Sequence, residues 1–358
     1  MATRGAYHVA AGAAALRPLA YDEGVSAPAS PLAPSRRGEV LLLLFSVVFF
    51  LVLAEVVVRL TGAADPRPSP YPRVDTDRRE RRPINSRGYR DFERTLAKPP
   101  GVRRVVSLGD SFAWGVGVEF DDTYGQRVER TLSRRRRTPW QVVSLAQPGM
   151  NSVGEGAQLA SEGLAYEPDA VALGYVLNDS EDENAAEARR VEDWLVDKRE
   201  QKTGSLRLFD RSALYRLVST RVWATLENRR RIAGYKSMYA ADYPGWIAGQ
   251  RALRTMGGLC RERGIPFVVL IFPLFGNPLD ESYPFPEIHA QVARAAAEAG
   301  AKVVDLLPRY RGLRWDILVV NGTEDEHPNE IAHRIAASAL LKAIDEVVPG
   351  DPAPAKAR

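Results

Sequence analysis

Arg104-Val105-Val106-Ser107-Leu108-Gly109-Asp110-Ser111-Phe112 is the stretch that decides the fold. Its mostly apolar run, 105–108, reads as a buried strand that stops at Gly109, and from Phe112 onward the strand pattern is lost. A serine two residues past the end of a buried strand stands at the mouth of a sheet, where open α/β proteins place their ligands. That position makes Ser111 a candidate nucleophile.

The same rhythm recurs downstream. Further strands are expected at 141–145, 170–175, 266–272 and 302–305, with helices around 123–133, 154–165, 246–263 and 330–347. Alternating strands and helices predict an α/β protein with a mostly parallel five-stranded sheet covered on both faces. Between the third strand and the helix before the fourth lies a charged, mostly helical insertion, 181–245. It contains an amphipathic piece around Leu214, Leu217, Val218, Val222 and Leu226, followed by Tyr235, Tyr239, Tyr243 and Trp246. The insertion reads either as a lid or substrate platform, or as an accessory helical pair with aromatic packing.

The chain has 358 residues, 45% of them hydrophobic and 26% charged, with a net charge of +4. The composition is that of an ordinary globular protein. No Lys/Arg block exceeds 134–137, so nucleic acid is not an expected partner. The single cysteine, Cys260, excludes an intramolecular disulfide and a cysteine metal cluster.

The N-terminal organisation differs from the rest. Residues 1–37 are rich in Ala, Pro and Arg and read as a disordered tail. From Val40 the chain is apolar except for Ser46, and this character runs to Leu60, broken by Glu55 and Arg59. The stretch matches the roughly 20 residues that span a bilayer, so a transmembrane helix is expected over 38–60. The leader before it is long for a signal peptide, which favours an uncleaved anchor. Arg36 and Arg37 on one side and Arg67, Arg73, Arg78 and Arg79 on the other leave the orientation open by charge. A Pro/Arg-rich linker and lead-in over 61–100, a globular domain over 101–348 and a disordered tail over 349–358 complete the expected organisation.

A serine nucleophile needs a base, a group that orients the base, and donors for an oxyanion. Of the four histidines, His8 precedes the apolar segment and His289 lies in a helical stretch. His327 sits in Thr323-Glu324-Asp325-Glu326-His327-Pro328-Asn329-Glu330, a polar loop entering the last helix. It is the candidate base. His333 follows six residues later, about 600° around a helix, so the two do not form a metal pair. Asp325 or Glu324 can hold the imidazole. Gly149, after the second strand, and Asn178, after the third, are candidate oxyanion donors at the same sheet edge.

These blocks together resemble the SGNH hydrolases, also called the GDSL esterase/lipase superfamily, named for Ser, Gly, Asn and His. Gly109-Asp110-Ser111, Gly149, Asn178 and His327-Pro328-Asn329 match in that order, within a resemblance covering about 84–348. The chain also resembles a bacterial subgroup with one N-terminal membrane segment and an extracytoplasmic domain. It departs from the family in three places: Glu324 stands where an aspartate is usual, three residues separate Gly174 from Asn178, and Ala332 replaces a frequent glycine.

The resemblance implies a flavodoxin-like three-layer α/β/α fold. It implies Ser111 attacking an ester carbonyl, His327 carrying the proton, and an oxyanion hole of the Ser111 and Gly149 N–H groups with the Asn178 side chain. It requires no metal or organic cofactor. Asp325 keeps the family's residue type and asks for a one-residue tightening of the loop, whereas Glu324 keeps its spacing. The expected function is ester hydrolysis or deacylation on an envelope glycan or lipid, by a single-pass membrane protein with a periplasmic catalytic domain. Acyl transfer to a polysaccharide, and a silent polysaccharide-assembly domain, are the alternatives.

Overall fold

The first strand, β1 (Arg103–Gly109), is buried at six of its seven residues, as the middle of a sheet covered on both faces requires. The computed structural model describes residues 36–64, 83–182, 211–321 and 325–350. Most of the expected N-terminal tail, much of the linker, part of the insertion, Glu324 and nearly all of the C-terminal tail lie outside the described residues. The other strands are β2 (Trp140–Ser144), β3 (Ala170–Tyr175), β4 (Phe267–Ile271) and β5 (Lys302–Asp305). All pair in parallel, in the order β2-β1-β3-β4-β5. This is the flavodoxin-like order, and its switch point falls between β1 and β3. The expected sheet is therefore the observed one: β3 and β5 have the expected ends, and those of β1, β2 and β4 are displaced by one or two residues.

The helices fall on the two faces as right-handed crossovers demand. A short turn of helix, α2 (Ser111–Trp114), follows β1, and α3 (Tyr124–Arg135) returns the chain to β2. The helix α4 (Ser152–Ser161) leads towards β3. The insertion supplies α5 (Ala213–Ser237), and α6 (Pro244–Glu262) precedes β4. The helix α7 (Pro286–Glu298) follows β4. The last long helix, α9 (Glu330–Val347), comes after the short α8 (Leu307–Tyr310). α3 packs on α9, while α4 and α7 pack on α6.

At the switch point two glycines allow close packing. Gly109, at φ +145°, pairs in register with Gly174 of β3. A Cβ on Gly109 would lie 2.6 Å from Ala113 Cβ and 3.0 Å from the Gly174 carbonyl, so a side chain there would push the nucleophile turn off the sheet.

Buried charge fixes the lead-in to this core. The Arg90 guanidinium donates to the carbonyls of Trp114, Gly115 and Val118, at 3.1, 2.6 and 2.6 Å, tying down the loop after α2. Asp91 accepts from the Ser144 N–H at 3.0 Å, and burial pushes its carboxyl up to about 6 against the pull of Arg94. Arg104, inside β1, donates to the Leu96 and Tyr166 carbonyls and to Gln141. A buried guanidinium is tolerated when its donors are paired.

His333 is inside α9, fully buried, and its Nδ1 accepts the Tyr124 N–H at the start of α3. Burial, reinforced by Arg90 and Arg127, pushes its pKa from 6.5 down to about 3. Between those values the unfolded chain binds a proton that the native protein does not, so stability rises with pH through this window. His333→Gln keeps an acceptor but cannot titrate. Thermal midpoints of the two proteins, measured from pH 7 down to pH 4, should diverge, with the wild type losing on the order of a few kcal/mol more. Parallel curves would contradict the assignment.

N-terminal to the sheet, α1 (Arg36–Thr61) is long and apolar enough to cross a membrane. At 1.5 Å per residue it is about 39 Å long. Leu41, Phe45 and Phe50 are each more than 60% exposed, so burial in the protein does not account for its apolarity.

Candidate active site

Asp110 makes the nucleophile turn. Its side chain caps α2 by accepting the Phe112 N–H at 2.8 Å, which turns the chain sharply out of β1 and leaves Ser111 at the sheet's edge. The other oxygen of the same carboxylate accepts from Asn178 Nδ2 at 3.2 Å and from the Ser111 hydroxyl at 3.4 Å. A carboxylate can face only the NH2 end of that amide, so Asp110 fixes which way Asn178 points. One amide hydrogen is used by Asp110 and the second is left to donate elsewhere.

Asn178 is held from the backbone side as well. Asp179 Oδ2 accepts the Val176 N–H at 2.9 Å, and the Asp179 N–H returns to the Val176 carbonyl at 3.0 Å. Asp179 and Glu155 of α4 are both buried. Burial pushes both carboxyls well above the usual range, and neighbouring carboxylate charge pushes them further. Protonated carboxyls are therefore favoured beneath the turn.

The histidine arrives on a loop held by its neighbours. Asn329 caps α9, its Oδ1 accepting from the Ile331 and Ala332 N–H groups at 3.0 and 3.2 Å. Its Nδ2 donates to the carbonyls of Ile317 and Val319. The Val320 N–H to His327 carbonyl bond, 3.0 Å, completes a small antiparallel clamp. His-Pro-Asn thus places a histidine one residue before a proline that cannot donate and two before a cap.

Asp325 doubles back on His327. Its Oδ1 accepts the His327 N–H at 3.0 Å and pairs with ring Nδ1 at 2.6 Å. Burial pushes the Asp325 carboxyl up, but the ring and backbone hydrogen bonds from His327 outweigh it and hold the carboxyl below its usual value. An ionised partner at Nδ1 keeps the proton there and leaves Nε2 as the basic nitrogen. The ring also meets Phe112 edge-on at 5.7 Å.

Ser111, Asn178, Asp325 and His327 all line one cavity of about 390 Å³. Phe112, Phe275 and Leu274 give it an apolar wall, and Tyr235 of α5 reaches its rim. Beside His327, Glu326 pairs with Arg231 of α5. Gly149 is not on this lining. It lies on the neighbouring loop, pinned to β1 by the Gln147 N–H to Gly109 carbonyl bond at 3.1 Å. Its φ is +77° and nothing stands within 4 Å of a Cβ placed on it, so the turn's conformation, not lack of space, calls for glycine. Glu324 lies outside the described residues.

Several members of this site carry weak sequence signals. Asp110 is readable as a cap, being an aspartate just before a helix. Glu155, Phe275, Tyr235 and Arg231 come from elements far apart in sequence, and nothing local marks them. His289 is a packing histidine: it is buried between Asp305, 2.8 Å from Nδ1, and the Tyr283 hydroxyl, 3.2 Å from Nε2. Among the described residues no cluster of His, Cys, Asp and Glu is arranged to hold a metal ion.

A parallel sheet with a serine at its switch point, and a histidine–carboxylate pair on the same cavity, is the frame of a serine hydrolase. This chain belongs to the GDSL-like lipase/acylhydrolase family, whose pattern matches residues 107–335, and it acts on esters. Among solved structures it is similar to a lipase/acylhydrolase from Enterococcus faecalis, at 14% identity and a TM-score of 0.41, over 70% of this chain and 100% of that one. It is also similar to a catalytic mutant of Axe2, an acetylxylan esterase from Geobacillus stearothermophilus, at 15% identity and a TM-score of 0.42, over 72% of this chain and 100% of that one. No curated protein matches the sequence.

Proposed function

We propose that the protein is a membrane-anchored serine esterase that works through an acyl-enzyme on Ser111, with His327 as base and Asp325 as the orienting acid. The observation that carries this reading is the 2.6 Å contact of His327 Nδ1 with Asp325, in the same cavity as Ser111. In the first step Ser111 Oγ bonds to the ester carbonyl carbon, its proton passes to His327 Nε2, and the alcohol leaves carrying that proton. In the second, water attacks the acyl-serine, His327 takes its proton, and the carboxylic acid departs as Ser111 is restored. The serine hydroxyl here donates to Asp110, and catalytic hydrogen bonds commonly tighten only once substrate is bound.

The oxyanion is held by the Ser111 and Gly149 N–H groups and the Asn178 amide hydrogen that Asp110 leaves free. Asn178→Ala should lower kcat by on the order of 10²-fold with a smaller change in KM, because one donor aimed at the oxyanion is lost. An unchanged kcat would reduce Asn178 to a turn residue. Mass action through α1 concentrates the enzyme at a membrane, and acyl esters on an envelope glycan or lipid are the substrate class, with the catalytic domain on the extracytoplasmic side. A panel of acyl esters presented to the full chain in detergent, with product analysis in the presence of sugar acceptors, tests hydrolysis against acyl transfer. Alkaline phosphatase joined after residue 75 should be active if the domain is extracytoplasmic.

A further inference from the structure

We infer that α5 is a membrane-surface helix, lying on the same bilayer that α1 crosses and docked there by its apolar stripe and its cations. The inference rests on α1 spanning that bilayer; it does not depend on the catalytic reading.

Depth is the first argument. The apolar part of α1, 40–60, is about 31 Å long at 1.5 Å per residue, close to the ~30 Å hydrocarbon thickness. Glu55 is five residues from the end of that span, hence about 7 Å inside the hydrocarbon boundary. A carboxylate at that depth needs partners, and α5 supplies them. Glu55 accepts from the Ser212 hydroxyl at 2.8 Å and from the Ala213 and Leu214 N–H groups at 2.8 and 2.7 Å. Arg59 closes the arrangement by pairing with Glu55 at 2.7 Å and donating to the Arg211 carbonyl. The first turn of α5 therefore sits at the depth of Glu55. Helices that lie in a membrane surface bury their apolar face by about 5–10 Å, which is the same depth.

Among the described residues, α5 also leaves one face exposed. From 221 to 230 every side chain that is described is exposed. Val218, Val222 and Leu226, each four residues apart, share one side of the helix and are 52%, 50% and 41% exposed, with Trp223 next to them at 61%. No described residue covers this stripe, although it continues from a groove of about 570 Å³ lined by Val48, Leu51, Val52 and Leu214, where α5 meets α1. Lipid that surrounds α1 fills such a groove and continues onto the stripe.

Charge is the third. Between Ala213 and Ser237 there are six Lys/Arg and one acidic residue, Glu227. Arg229 and Arg230 stand three and four residues beyond Leu226 and put cations at the end of the apolar stripe. A cationic helix with an apolar stripe and an exposed tryptophan has the chemistry of an anionic phospholipid surface. The far end of α5 carries Arg231 and Tyr235 to the rim of the catalytic cavity, about 30 Å along the helix from Leu214. The cavity mouth is then held at the bilayer surface, where an ester with a membrane-embedded acyl part can enter it.

The test uses the full chain in vesicles of phosphatidylethanolamine and phosphatidylglycerol carrying a fraction of doxyl-labelled lipid. Cys260 is buried and its thiol is pushed up to about 11, so an introduced cysteine takes an environment-sensitive NBD label selectively. Three labelled variants are compared: Val222→Cys on the stripe, Asn228→Cys about 120° around α5 from it, and Leu44→Cys in α1. The expected result is a blue shift and loss of emission at positions 44 and 222, with neither at 228. Quenching at 44 but not at 222 would overturn the inference and leave the stripe to a protein partner. Equal quenching at 222 and 228 would overturn the surface geometry, and none at 44 would remove its basis. Esterase activity enters none of these readings, so failure of the catalytic assignment would be seen separately.

Discussion

Ser111→Ala should abolish ester hydrolysis, lowering kcat by on the order of 10⁴-fold or more, while the protein stays folded. The two expectations come from different atoms. The hydroxyl is the group that would form the acyl-enzyme bond, and among the described residues on the cavity Ser111 alone carries an aliphatic hydroxyl and none carries a thiol. The turn that presents it is built by Asp110, whose carboxylate caps Phe112 and orients Asn178. The hydroxyl's own bond to Asp110 is 3.4 Å, long enough that its removal costs little. Steady-state hydrolysis of a short-chain ester, with the far-ultraviolet spectrum as the check on folding, measures both. Turnover above a few per cent in a folded variant would move the nucleophile elsewhere.

Asp325→Asn should be nearly as damaging, up to about 10⁴-fold in kcat across the pH range. The Asp325 carboxylate accepts from His327 Nδ1, so Nε2 is the basic nitrogen. An asparagine can turn its NH2 towards Nδ1 and donate to it. The imidazole proton then moves to Nε2, which can no longer take one from Ser111. Glu324→Gln should cost far less. The reverse ranking in matched kcat measurements would transfer the orienting role to Glu324, and two mild effects would leave His327 acting with Ser111 alone.

How much of this is legible in the sequence depends on the range of each interaction. The sheet is legible because β3 and β4 are continuous apolar runs and β1 holds a mostly apolar one, Val105 to Leu108, each soon followed by Gly, Asn or Pro, a local signal. His327 is legible because proline and a capping asparagine follow it. Asp325 and Glu324 differ by one position, and only the fold of the loop around the Val319–Pro328 bridge shows the carboxylate of Asp325 returning to the ring. Gly149 is legible as a glycine after the second strand, but why glycine is needed is not: the position asks for a left-handed backbone, not for space. The contact of Glu55 with Ser212 spans 157 residues, and Tyr235 reaches the cavity from an insertion, so no local pattern announces either. Buried Arg90, Arg104 and Glu155 are illegible for a further reason. Charged residues are read as surface, and only the finished core shows what surrounds them.

A nucleophilic Ser111 activated by His327 should react with a fluorophosphonate, and treating the full chain in detergent and mapping the adduct by mass spectrometry measures it. One phosphonylated residue is expected, on the peptide containing Ser111, with labelling lost in Ser111→Ala and strongly slowed in His327→Ala. An unlabelled wild-type protein, or an adduct that persists when Ser111 is replaced, would contradict it.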